Sequence, residues 1–211
     1  MRWIARSYLL AMALLGWSAV SLQIVLVASI FKDVGLPVTS GIIDALSYFT
    51  VLTNILVAIV VTASIIRGKP DTFLTGPGTM AAVAVYIIIV GVIYSLFLRP
   101  LWNPVGFQLA ADVALHGLTP ILYPIYWLIF VPKGKLKWIY PVYWLIYPLF
   151  YVAYSLLRGL LINRYLYPFA DITILGYRKV FANTAILLLT FLALGLIMVA
   201  IDRAIARFRK S

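Results

Sequence analysis

Six stretches of about twenty consecutive apolar residues constrain this chain more than anything else in it. They fall at residues 10–30, 43–66, 79–98, 109–131, 140–161 and 181–201. A backbone crossing hydrocarbon must satisfy its own N–H and C=O groups, so each run reads as a helix and the six together as a membrane bundle. The composition agrees: 64% of the 211 residues are hydrophobic and 11% charged, whereas a soluble domain carries about a quarter charged residues. The predicted fold is all-α: a single six-span membrane domain over residues 1–211, with no linker or second domain.

The connections are short and punctuated by proline and glycine, as in "RGKPD", "LRPLWNP" and "VPKGKLKW". Trp3, Trp102 and Trp138 fall near span ends, where indole rings favour the membrane interface. The motifs "YPIYW", "YPVYW" and "YPLFY" at 123, 140 and 147 read as aromatic packing with proline kinks, too irregularly spaced for a repeat. The first apolar run is about twice as long as a signal-peptide core and has no clear cleavage site, so it is expected to stay as a span.

With no cysteine, the chain can form neither disulfides nor thiolate sites, and its single histidine argues against most zinc and bis-histidine haem sites. No metal or organic cofactor is expected. The net charge of +11 is not read as a nucleic-acid signal, because the basic residues sit in short loops and at the C-terminus. Eleven lie on one side of the bundle: Arg2, Arg6, Arg67, Lys69, Lys133, Lys135, Lys137, Arg203, Arg207, Arg209 and Lys210. Five, namely Lys32, Arg99, Arg164, Arg178 and Lys179, lie on the other. The richer side faces the cytoplasm, so both termini are predicted to be cytoplasmic, in the cell membrane.

That orientation gives each polar residue within a span a depth, at 1.5 Å per residue. Asp112 starts the fourth span and Arg158 ends the fifth, both about 5 Å inside the outer boundary. His116, Thr50 and Tyr154 come about 10 Å in. Asn54 follows Thr50 by one turn, and Ser47 precedes it by about one. Ionisable residues within spans usually face the bundle interior and mark a site, so an outward-facing polar cavity is expected.

Asp112 and His116, at i and i+4, share a helix face. The carboxylate can hold one ring N–H and leave the other nitrogen as a base, which is two thirds of a hydrolytic triad. Among the hydroxyls, Thr50 matches the histidine's depth best; Ser47 is shallower, and Thr53 points about 60° away. Asn54 or Tyr154 would donate to an oxyanion. Each residue also has a plainer reading: threonine bonding back to its own helix, Asp112 paired with Arg158, tyrosines as packing, the lysines 133, 135 and 137 as topology signals.

The segment "YFTVLTN" in the second span, the histidine and proline of "HGLTP" in the fourth, and "YPF" after the fifth resemble the androgen-induced-protein family. Those are intramembrane threonine hydrolases that cleave fatty acid esters of hydroxy fatty acids, with relatives among bacterial six-span proteins. By that resemblance the nucleophile falls on Thr50 and the base on His116. The chain differs from the animal members in having one histidine and in carrying Asp112. The expectation is a hydrolase of a lipid ester near the outer leaflet, with the bilayer and a lipid substrate as partners and Arg158 pairing with a substrate carboxylate or phosphate. The alternatives are a small-molecule or proton-linked transporter using Asp112, His116 and Arg158, and a non-catalytic scaffold.

Overall fold

The computed structural model describes residues 2–67 and 72–208. Lys69, Arg209 and Lys210, counted above, lie outside the described residues, as does the side chain of Arg2. The described residues form helices and no strands, and six helices are long and apolar enough to cross a membrane. The chain packs as two compact units, Met1–Pro132 and Lys133–Ser211.

The first unit holds α1 (Arg2–Asp33), α2 (Val38–Leu46), α3 (Phe49–Arg67), α4 (Pro77–Ile93), α5 (Gly106–Val113) and α6 (Thr119–Phe130). At 32 residues, α1 is about 48 Å long. It overruns its apolar stretch because hydropathy marks the lipid boundary, whereas the helix continues through Arg6 and Lys32. At the centre stands α4, buried on all sides from Met80 to Ile87. That all-round burial explains why its sequence has no polar face.

The second apolar run, expected as one helix over 43–66, is broken at Ser47 and Tyr48. The Ser47 hydroxyl donates to the Ile43 carbonyl (2.7 Å), a back-bond that bends helices. The amides of Ser47 and Tyr48 then bond three residues back, to Asp44 and Ala45. Four-residue bonding resumes only with Leu52 N–H on the Tyr48 carbonyl (3.1 Å). Gly41 lets α2 lie close to α1: a Cβ there would meet the Ala28 Cα at 2.7 Å.

Two π-turns interrupt the third and fourth spans, at Tyr94–Leu98 and Ala114–Leu118. In each, an amide reaches five residues back: Arg99 to the Tyr94 carbonyl, Thr119 to the Ala114 carbonyl. Each turn ends two residues before a proline, Pro100 and Pro120. A proline has no N–H for the carbonyl four residues back, and its ring crowds that carbonyl; one extra residue in the turn relieves both problems. The two interrupted helices approach closely beside the turns, where a Cβ on Gly91 would meet the Pro120 Cβ at 2.7 Å.

The second unit holds α7 (Tyr140–Trp144), α8 (Ile146–Ile162) and α9 (Ile172–Phe208), the last kinked at Gly176 (φ 73°, ψ 160°). Of the three prolines expected to kink helices, only Pro124 lies inside one; Pro141 and Pro148 fall in the first turns of α7 and α8. Those first-turn positions suit proline, since no intrahelical N–H bond is lost there. The buried Asp202 on α9 accepts the amides of Gly134 and Leu136 through one oxygen, both at 3.0 Å. Arg203 beside it lies 5.5 Å from the centre of the Trp138 ring. Together they fasten the basic loop to α9.

Candidate active site

The first unit gathers a chain of polar groups around the fourth span. Trp102 Nε1–H donates to the Tyr94 hydroxyl (3.1 Å), and the Tyr94 O–H donates to Asp112 Oδ2 (2.6 Å). The other carboxylate oxygen, Oδ1, lies 3.0 Å from His116 Nδ1. Because an indole can only donate, the direction of the chain is fixed: Trp102 to Tyr94, Tyr94 to Asp112. The carboxylate accepts on both oxygens, so Nδ1 of His116 carries a proton and Nε2 is left with a lone pair. Nε2 makes no hydrogen bond to any described residue.

The His116 ring is also held from its face. It lies on the Tyr94 ring with centroids 3.7 Å apart and planes 11° from parallel. Tyr94 and Trp102 were missed in the sequence, where tyrosines counted as packing and Trp102 as an interface anchor. Tyr94 sits one turn from the outer end of the third apolar run, close to the depth of Asp112, so the depth test that picked out Tyr154 could have found it had the third span been searched as well. Asp44, a buried carboxylate on α2, was passed over as well.

Thr50 is buried in the first turn of α3. Its expected depth was counted along one helix from residue 43, whereas the helix that carries it begins at Phe49. The break matters chemically. Threonine in a helix usually bonds back to the carbonyl four residues earlier, but for Thr50 that carbonyl, on Leu46, lies across the break. The Thr50 hydroxyl accordingly makes no hydrogen bond among the described residues, unlike Ser47, which is tied to Ile43. The Thr50 and Val51 amides likewise find no backbone acceptor three or four residues back. They sit at the positive end of the α3 dipole.

Asn54 connects this turn to the histidine's. Its Nδ2 donates to the Thr50 carbonyl (2.9 Å) and to the Leu115 carbonyl (3.2 Å), the latter on the residue just before His116. Both amide protons are thereby taken, so Asn54 ties α3 to the π-turn and is not the free oxyanion donor expected of it. Its Oδ1 is fully buried with no partner. No direct hydrogen bond joins the Thr50 hydroxyl to His116.

Tyr154 and Arg158 lie one turn apart on α8, in the second unit, Tyr154 exposed and Arg158 half-buried. Both make interactions with other residues. Among the described residues no three His, Asp or Glu side chains gather as a metal-ligand set. Compared with models of known families, with curated proteins and with solved structures, the chain finds no match.

Proposed function

We propose that this protein is an intramembrane hydrolase of lipid esters, with Thr50 as nucleophile and His116 as base, as its resemblance to the androgen-induced-protein family implies. The observation that carries the reading is the oriented imidazole. Asp112 holds Nδ1–H, and Nε2 is left to accept a proton on a turn that Asn54 ties to Thr50.

In the proposed mechanism, Thr50 Oγ attacks the ester carbonyl carbon as Nε2 takes the hydroxyl proton. The Thr50 and Val51 amides receive the negative charge that develops on the carbonyl oxygen; preorganised donors of this kind are worth roughly a hundredfold or more each. The C–O bond to the alcohol then breaks, and His116 returns its proton to the leaving oxygen. Water, deprotonated by the same nitrogen, attacks the acyl-threonine and releases the fatty acid. Asp112 stabilises the imidazolium formed in both halves. With both termini cytoplasmic, as the basic residues indicate, the site opens toward the outer leaflet of the cell membrane.

The test uses purified protein in detergent, a fluorophosphonate probe and a fatty acyl ester, comparing Thr50→Ala, His116→Ala and Thr50→Ser with the parent. Labelling and turnover are expected to vanish in the first two and persist in part in the third. Turnover that survives both alanine substitutions would sink the mechanism. Uptake into vesicles that is lost in Asp112→Asn yet indifferent to Thr50→Ala would establish a transporter instead.

A further inference from the structure

We propose that Tyr94 is a positioning residue for His116, acting twice on the same imidazole: its hydroxyl holds the Asp112 carboxylate and its ring holds the imidazole plane. A carboxylate with one hydrogen bond can swing about its own axis. Asp112 has each oxygen held by a different helix, Oδ2 by Tyr94 and Oδ1 by His116. The stack removes the remaining freedom, rotation of the imidazole about its bond to Cβ. Trp102 fixes the phenol in turn by filling a lone pair of its oxygen, which leaves the phenolic proton directed at Asp112. The consequence is a single tautomer, protonated at Nδ1, with Nε2 aimed in one direction.

The stack has a second effect. When His116 takes a proton, the imidazolium lies on the negative face of the phenol ring, an arrangement that favours the cation. Tyr94 thus steadies the neutral base and stabilises its protonated form, without touching the substrate.

The proposal deepens the hydrolase reading, but its first test needs no turnover. His116 is the only histidine, so isotope-labelled histidine gives one set of imidazole signals in the full-length protein in micelles. The parent is expected to show the Nδ1-protonated tautomer and ring protons shifted upfield by the phenol. Tyr94→Phe should keep the upfield shift and change the Nδ1 signal. Tyr94→Leu should lose the shift and populate the other tautomer. If hydrolysis is found in the parent, Tyr94→Phe should lower kcat roughly tenfold, the loss expected of one hydrogen bond to a charged group. Tyr94→Leu should lower it about a hundredfold, with KM within about threefold in both. Histidine signals in Tyr94→Phe and Tyr94→Leu that match the parent would overturn the proposal; where the leucine variant fails to fold, an unchanged Nδ1 signal in the phenylalanine variant does so alone. A parent without esterase activity whose histidine signals respond as expected would retire the hydrolase reading and leave the role of Tyr94 standing.

Discussion

The His116 imidazole lies flat on the Tyr94 phenol ring, 3.7 Å between centroids, although the two residues come from different spans. Both rings ride in π-turns, and each π-turn precedes a proline by two residues. A one-residue insertion into a helix rotates everything on one side of it by about 100° relative to the other. The prolines therefore set the angle at which each ring leaves its helix, and their positions in the sequence fix whether the rings meet.

Replacing Pro120 by alanine tests that dependence. The substitution restores an N–H for the His116 carbonyl while keeping the Cβ that packs on Gly91. The π-turn is then expected to close to an α-turn, which rotates His116 away from either Asp112 or Tyr94. Ester hydrolysis should fall about a hundredfold, the penalty for misplacing a catalytic group by an ångström or so. The thermal midpoint should hold or rise, since a proline inside a helix costs about 3 kcal/mol. Full activity in Pro120→Ala would mean that the π-turn does not place the base.

Gly91 controls how closely those two helices approach. A methyl group there would sit 2.7 Å from the Pro120 Cβ, so one helix must give way. Gly91→Ala is expected to cost about 1–3 kcal/mol, as overpacking does elsewhere, and to part the stacked rings. Thermal unfolding in detergent measures it, with Gly117→Ala as the reference, because a Cβ at Gly117 meets nothing within 4 Å. Equal midpoints for the two variants would show that the contact at Gly91 is not tight.

Much of the architecture was legible because hydrocarbon leaves few choices. Six apolar runs gave six helices, and the i, i+4 spacing of Asp112 and His116 gave their contact. Three things were not legible, for distinct reasons. The break at Ser47 lies within an unbroken apolar run with neither glycine nor proline beside it; a serine hydroxyl competing for a helix carbonyl leaves no mark in hydropathy. The π-turns precede Pro100, read in the sequence only as punctuation between spans, and Pro120, read only as part of the motif HGLTP. Tyr94 was hidden by its own abundance, since fourteen tyrosines make each one look like packing. The role of Asn54 was half legible: its place one turn from Thr50 was clear, but not that two carbonyls would take both its protons.

Asp202 gives a prediction confined to the second unit. Its carboxylate receives the Gly134 and Leu136 amides, and hydrogen bonds to a charged group are worth about 1.5–3 kcal/mol each. Asp202→Ala should free the loop that carries Lys133, Lys135 and Lys137. Limited trypsin digestion should then cut there at least tenfold faster than in the parent, while Asp202→Asn, which keeps an acceptor oxygen, should stay near the parent rate. Equal cutting of all three proteins would show that the loop is held by something else.

The orientation of the site in the membrane can be tested apart from its chemistry. The chain has no cysteine, so a single introduced thiol reports its own position. Asn103, beside Trp102, and Lys135, in the basic loop, are both exposed. If the eleven basic residues face the cytoplasm, Asn103→Cys should react with a membrane-impermeant maleimide on intact cells, and Lys135→Cys only after lysis. The Tyr94–Asp112–His116 cluster then lies on the outer side with Trp102, and on the proposed function a lipid substrate would come from the outer leaflet. The reverse labelling pattern would invert the bundle and place the substrate of the proposed hydrolysis in the cytoplasmic leaflet, leaving the proposed roles of Thr50 and His116 unaffected.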